Sequence, residues 1–301
     1  MTESNQKEMN AILLDGKETS NAIKVEIAKE VEEITKSGRR APHLAAILVG
    51  EDGASKTYVK NKELACQRVG FASTLLRLDA TTSEEDVLAK IREINANDAI
   101  DGLIVQLPLP AHISENKVTQ TIDPTKDVDG FHDVNVGKLT KGEDTFISAT
   151  PFGIIQLLER YNIDTSGKHC VVVGRSNIVG RPMSILMSRN GNPGNCTVTV
   201  CHSRTQNLAD FTRAADIVIV ALGKPEFLTG DMVKPGATVI DVGISRVDAD
   251  NERGYVLKGD VHFESCEKVA SAITPVPGGV GPMTIIGLMQ NTLKSYKLRH
   301  G

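Results

Sequence analysis

The sequence predicts an α/β protein of two domains, each built on a parallel sheet covered by helices. Three observations carry this expectation. Short apolar, β-branched runs alternate with segments whose apolar residues recur at helical spacing. A polar stretch, Thr140 to Asp144, reads as a surface connection, and a second alternating series starts after Pro151. The 301 residues suffice for two domains of ordinary size.

In the first series, Lys17 to Lys36 carries Ile23, Ile27, Val31 and Ile34 at helical spacing, and Ser37-Gly38 stops it. Leu44 to Val49 reads as a buried strand, and Ser55 to Val69 as a helix ending at Gly70. Phe71 to Leu78 is the second strand, Ser83 to Asn95 the second amphipathic helix after it, and Leu103 to Leu107 the third strand. The second series gives a helix near Phe152 to Tyr161, a strand near His169 to Val173 and a helix near Arg181 to Arg189. The segment NGNPGN, Asn190 to Asn195, is a turn-rich loop, and strands follow near Val198 to His202, Ile217 to Ala221 and Thr238 to Val242. A last helix, about Met283 to Lys297, comes after a Pro/Gly tract, and its periodicity alone assigns it to neither domain. No internal repeat stands out.

Composition narrows the setting. With 40% hydrophobic and 24% charged residues the chain is globular. A net charge of -4 offers no overall attraction to nucleic acid or an anionic membrane, and the absence of Trp with 4% aromatics argues against base stacking. The five cysteines form no CxxC pair and no zinc-site spacing, so free thiols in a reducing compartment are expected and no metal site is. The first ten residues, MTESNQKEMN, lack the apolar core of a signal peptide, and no apolar run reaches the length of a membrane span. The expected location is cytoplasmic.

The segment VVVGRSNIVGRP, Val171 to Pro182, is the most informative. A β-branched run enters a glycine-bearing turn and helix-forming residues follow, the layout of a nucleotide-binding strand, turn and helix. Gly174 and Gly180 bracket the turn; Ser176 replaces the middle glycine of GxGxxG and the spacing is one residue longer. The next strand ends in His202-Ser203-Arg204-Thr205, with no carboxylate for ribose hydroxyls. Arg175, Ser203 and Arg204 can instead surround a 2′-phosphate, which selects NADP over NAD. Ala221 to Pro225 and Asp241 to Ile244 place glycines at two further strand ends, where a dinucleotide lies against backbone.

In the helix Ser55 to Val69, Lys62 falls on the arc that holds Val59, Ala65, Cys66 and Val69. Lysine rarely occupies such a position without a reason. A lysine in a partly apolar cleft can exchange a proton near neutral pH, and Tyr58 one turn earlier can offer its ring to a flat substrate. Gln106, ending the third strand ahead of Leu107-Pro108-Leu109-Pro110, can hydrogen-bond either Lys62 or a substrate atom. Lys126 to Gly130 sets Asp127 and Asp129 in a tight turn; Asp129 pairing with the N–H groups of a heterocycle fits better than a metal.

Together these segments resemble the bifunctional methylenetetrahydrofolate dehydrogenase/cyclohydrolase family. The resemblance rests on SKTYVKNK (Ser55 to Lys62), DGLIVQLPLP (Asp101 to Pro110), DPTKDVDGFH (Asp123 to His132), GRSNIVGRP (Gly174 to Pro182) and TPVPGGVGPMT (Thr274 to Thr284). It implies NADP-dependent oxidation of 5,10-methylenetetrahydrofolate to the methenyl form, then hydrolysis to 10-formyltetrahydrofolate. By this resemblance Lys62 is the catalytic lysine, Gln106 its partner, Asp129 the carboxylate that holds the pterin and Tyr58 the ring that stacks on the folate. Gly174, Arg175, Ser176, Ser203 and Ile244 fall to the cofactor, and Pro277, Gly278 and Gly279 join the substrate-binding set. The implied architecture is a folate-binding catalytic domain (1–149 plus 280–301) and a Rossmann-like NADP-binding domain (150–279). The last helix would return to the N-terminal domain, and a homodimer is expected. One departure is Ala149, where many members carry cysteine ahead of the Thr-Pro pair.

Overall fold

The computed structural model describes residues 11–50, 53–252 and 254–301, and for residues 53–57 the backbone alone. The signal-peptide reading, which rests on residues 1–10, and the side chain of Ser55 lie outside the described residues. In chain order the elements are β1 (Ile12–Leu13), α1 (Gly16–Lys36), β2 (His43–Val49), α2 (Gly53–Val69), β3 (Ala72–Leu78), α3 (Glu84–Asn95) and β4 (Gly102–Val105). Then come α4 (Glu115–Thr121), α5 (Asp133–Lys141), α6 (Ala149–Arg160), β5 (His169–Val173), α7 (Gly180–Ser188) and β6 (Thr197–Cys201). The chain closes with α8 (Leu208–Arg213), β7 (Ile217–Val220), β8 (Thr238–Asp241), β9 (Ser245–Asp248), β10 (Tyr255–Lys258), α9 (Phe263–Glu267), β11 (Ala272–Ile273) and α10 (Val280–His300). Two compact units result: one from Ser20–Phe152 with Thr284–Gly301, the other from the residues up to Thr19 with Gly153–Met283.

The first unit carries a parallel sheet in the order β3-β2-β4. The central strand reads HLAAILV and is buried at every position after His43, as a strand covered on both faces must be. Ala45, Ile47 and Val49 of that strand pack with Val87, Leu88, Ile91 and Ile94, the apolar stripe of α3. Ser83 caps α3 by accepting the Asp86 N–H at 3.2 Å. At the other end of that helix the buried Lys126 donates to the carbonyls of Ile94, Asn95 and Asn97 at 2.7–2.9 Å, groups that a helix end leaves without partners. The later turns of α10 belong here: Asn291 donates to the carbonyls of Val128 and Ile147, both at 2.8 Å. The fully buried Asp101 receives a bidentate Arg40 at 2.7 and 2.8 Å and also meets His300.

The second unit holds a six-stranded parallel sheet ordered β1-β11-β8-β7-β5-β6. The chain leaves β5 for β6 on one side and returns to β7 on the other, so the strand order reverses at β5, where doubly wound folds bind nucleotides. Val171, Val173, Val218, Val220 and Val239 form its core with Leu228, Cys266 and Ile273. Strands β9 and β10 form a separate antiparallel pair. The first described strand differs from the sequence expectation, which put everything up to residue 149 in the first domain. Ile12 and Leu13 pair with Ala272 and Ile273 of β11 and therefore extend the second unit's sheet. A two-residue strand is too short for periodicity to reveal.

One local arrangement occurs twice. At the start of β2, His43 donates its backbone N–H to Asp101, and its ring meets the Ala99 carbonyl and the Thr74 hydroxyl at 3.0 and 2.8 Å. At the start of β5, His169 donates its N–H to Asp216, and its ring meets the Ala214 carbonyl and the Thr199 hydroxyl at 3.2 and 3.0 Å. In each unit the first strand of the series lies between the next two, β3-β2-β4 and β6-β5-β7. The units thus share a structural repeat that residue identities alone conceal.

Candidate active site

Helix α2 buries Val59, Ala65, Cys66 and Val69, while Leu64 is exposed, so the apolar arc read from the sequence is the packed face. Lys62 sits at the edge of that face, half-buried, and Tyr58, four residues earlier on the same side, is 46% exposed. The lysine's Nζ donates to Gln106 Oε1 at 3.1 Å. Gln106 is fixed from two directions: its backbone N–H donates to Ile47 and its side-chain Nε2 donates to the Leu107 carbonyl at 2.8 Å. With Nε2 occupied there, the amide oxygen is the atom left to face Lys62.

The two carboxylates of the 126–130 turn have different environments. Asp127 is buried and accepts from the N–H groups of Phe131 and His132 and from Asn135 Nδ2, at 3.3, 2.8 and 2.8 Å. It is spent on holding the turn. Into Asp129 no hydrogen bond from another described residue enters. Burial pushes the Asp129 carboxyl up from its ordinary range; the nearby Lys62 charge pulls it down and Asp127 pushes it further up. A group so placed gains when a ligand supplies N–H donors.

In the second unit, Gly174 continues the β5–β6 ladder by donating to the Cys201 carbonyl at 2.8 Å, and its φ of +135° suits glycine. A Cβ on Gly174 would come within 2.4 Å of the Ala221 carbonyl oxygen, and one on Gly180 within 2.2 Å of the Gly174 oxygen. The turn is therefore closed tightly over the ends of β5 and β7. Ser176 Oγ accepts from the N–H groups of Val179 and Gly180 at 3.1 and 3.4 Å, capping the turn into α7. Arg175 and Ser176 are exposed at its crest. Across the strand end, the Thr205 hydroxyl accepts the His202 N–H at 2.9 Å and the His202 ring accepts the Arg204 N–H at 3.1 Å, which fixes the 202–205 turn and leaves Ser203 and Arg204 exposed. Ile244, following β8, is 50% exposed. These features form a backbone cradle with basic and hydroxyl groups beside it, which fits a dinucleotide carrying an extra phosphate.

Pro277, Gly278 and Gly279 lie in the second unit, in the loop between β11 and α10. Gly278 accepts from the Lys17 N–H at 2.9 Å and Gly279 donates to Pro275. The sequence reading grouped these three with Lys62, Gln106, Asp129 and Tyr58, which belong to the first unit. Ala149 is buried at the start of α6.

Two carboxylates escaped the sequence reading. Asp260 is fully buried and accepts from the consecutive N–H groups of Leu222, Gly223 and Lys224 at 2.5, 2.9 and 2.8 Å. Asp241, also buried, accepts from Gly243, Asp260 and Val261 at 3.0, 2.9 and 2.9 Å. Burial pushes the Asp241 carboxyl up to about 7; its N–H donors resist this and the Asp260 charge adds to it. A carboxyl raised in the folded state holds its proton better there than in the unfolded chain. Its contribution to stability is full below the ordinary 3.8 and is lost as pH rises through about 7. Between those limits the slope is at most roughly 1.4 kcal/mol per pH unit. Urea denaturation of the wild type and Asp241→Asn across that window is expected to show the wild type losing stability relative to the variant as pH rises; parallel profiles would contradict the assignment.

Comparison with known proteins gives a concordant picture. Residues 14–129 match the family model described as tetrahydrofolate dehydrogenase/cyclohydrolase, catalytic domain. Residues 148–300 match the one described as tetrahydrofolate dehydrogenase/cyclohydrolase, NAD(P)-binding domain. The chain is 63% identical over 288 residues to the bifunctional protein FolD of Flavobacterium johnsoniae, covering 95% of this chain and 98% of the relative. It resembles the crystal structure of the bifunctional FolD of Campylobacter jejuni with a TM-score of 0.91 and 46% identity, covering 96% and 99% of the two chains. A Trypanosoma brucei methylenetetrahydrofolate dehydrogenase-cyclohydrolase, solved with NADP and an inhibitor, superposes with a TM-score of 0.90 at 37% identity, covering 96% and 98%.

Proposed function

The chain belongs to the tetrahydrofolate dehydrogenase/cyclohydrolase family, and we infer from that membership and from the site the reactions it performs. It oxidises 5,10-methylenetetrahydrofolate with NADP⁺ to the 5,10-methenyl form and hydrolyses that product to 10-formyltetrahydrofolate. The observation that carries the reading at residue level is the hydrogen bond from Lys62 to a glutamine whose amide is locked by its own backbone contact.

The first unit acts on the folate. Asp129 accepts the pterin N–H groups, which recovers the cost of burying its charge. Tyr58 offers its exposed ring to the flat heterocycle. As oxidation proceeds, positive charge spreads over the two folate nitrogens that flank the methylene carbon. A second positive charge beside that carbon would oppose it, so the working form of Lys62 is the neutral amine, held in place by Gln106. In hydrolysis the same amine accepts one proton of the attacking water, and the carbon–N5 bond then breaks as N5 takes the remaining hydroxyl proton, which leaves the formyl group on N10.

The second unit holds NADP, which supplies the acceptor for the hydride. Gly174 and Ser176 receive the pyrophosphate at the glycine turn, Ile244 covers the cofactor as an apolar wall, and Ser203 with Arg175 binds the 2′-phosphate. A charge-assisted contact to that phosphate contributes about 1.5–3 kcal/mol, so Arg175→Ala should reduce the preference for NADP over NAD by roughly ten- to a hundredfold. An unaltered ratio of kcat/KM for the two nucleotides would assign the phosphate to another group.

In this reading the folate domain comprises 20–152 with 284–301. Further parts of it are a cytoplasmic location and a homodimer. No helix among the described residues is long and apolar enough to cross a membrane, and β6 leaves one edge of the sheet open with Val200 exposed. The loss of methenyltetrahydrofolate supplied without nucleotide tests the hydrolytic half: the protein should accelerate it, and decay at the uncatalysed rate would restrict the enzyme to oxidation.

A further inference from the structure

We propose that Asp260 and Asp241 are positioning residues for the dehydrogenase, a two-carboxylate relay that sets the loops after β7 and β8 before the nucleotide arrives. The proposal rests on the reading above that NADP binds where the strand order reverses, beside Gly174 and Ala221.

The relay runs in one direction. Asp241 ends β8, and its own N–H donates to Thr274 Oγ1 at 2.7 Å. Its carboxylate takes the N–H groups of Asp260 and Val261, which fixes the segment after β10 onto the end of β8. It also takes the N–H of Gly243, which sets the start of the loop leading to Ile244. Asp260, thus anchored, takes three successive N–H groups from Leu222, Gly223 and Lys224, the loop that follows β7. There is no room for slack: a Cβ on Gly259 would lie 1.9 Å from Asp241 Oδ2 and one on Gly243 2.2 Å from the Asp260 carboxyl carbon.

This arrangement has a chemical consequence. Three consecutive N–H groups at the end of a strand would ordinarily make an anion site. Here they point inward to Asp260, so the 222–224 loop presents carbonyls, side chains and the bare face of Gly223 instead. Phosphate binding is left to the 174–180 turn, and the 222–224 loop becomes a preformed wall. Ordering three residues costs about 1–2 kcal/mol each, and meeting that cost in advance raises nucleotide affinity.

Calorimetric titration with NADP⁺ tests the relay. Asp260→Asn puts an N–H₂ group against one of the three N–H donors, and the dissociation constant should rise about tenfold or more. Apparent affinity for methenyltetrahydrofolate, read by its hydrolysis without nucleotide, should change far less; an equal loss for both ligands would indicate general loosening and overturn the proposal. Amide exchange in the nucleotide-free wild type gives an answer that needs no variant. The Leu222, Gly223 and Lys224 amides should be strongly protected, and free exchange would overturn the proposal. If the wild type itself fails to bind NADP⁺, the cofactor reading fails; if wild type and Asp260→Asn bind equally, only the relay does.

Discussion

Replacing Lys62 with methionine is expected to lower both NADP-dependent oxidation and methenyl hydrolysis by about 10²–10⁴-fold, the range for loss of a positioned proton-transfer group. Methionine keeps the length and apolar stem, so the packing of α2 at the edge of its buried face is largely retained. What disappears is the amine and its 3.1 Å bond to Gln106. Both reactions should fall because one amine serves both: uncharged beside the developing cation, then as acceptor of the water's proton. Calorimetry should show NADP⁺ affinity unchanged, since the nucleotide residues sit on other elements. Rates of both half-reactions within threefold of wild type would remove Lys62 from the mechanism.

For Asp129→Ala the expected loss lies in folate affinity. Each charge-assisted hydrogen bond contributes about 1.5–3 kcal/mol, and two N–H donors on the pterin edge make the loss roughly a hundredfold or more. The effect should appear in KM for methylenetetrahydrofolate with a smaller change in kcat, because the contact forms in the ground state as well as the transition state. Asp127→Ala is the informative contrast. It removes an acceptor of three hydrogen bonds inside the turn and should appear as lost stability. Equal KM values for wild type and Asp129→Ala would show that the pterin is held elsewhere.

The two aspartates also mark how far the sequence could be read. Both stand in one tight turn, and nothing in their spacing separates the carboxylate that holds the turn from the one left for a ligand. Only the fold brings Asn135, Phe131 and His132 around Asp127. Lys62 was legible because helical periodicity is local: it put the lysine on one arc with Val59 and Ala65, both of which are buried. From the residues alone, its bond to a residue 44 positions away is one of two possibilities for Gln106, and only the family resemblance singles it out. The strand–turn–helix around Gly174 was legible for the same local reason, whereas Asp260 was not. Its three donors lie 36 to 38 residues earlier in the chain, and the segment around it has no period. The repeated surroundings of His43 and His169 were hidden likewise, since each unites side chains on, or immediately before, three separate strands.

Every role assigned above depends on the chain oxidising methylenetetrahydrofolate with NADP⁺ as the acceptor. Mixing purified protein with both compounds and following NADPH absorbance tests it most directly. NADPH should form only when both substrates are present, faster with NADP⁺ than with NAD⁺, and about 10²–10⁴-fold more slowly in Lys62→Met. No NADPH from folded wild-type protein supplied with both substrates would contradict it.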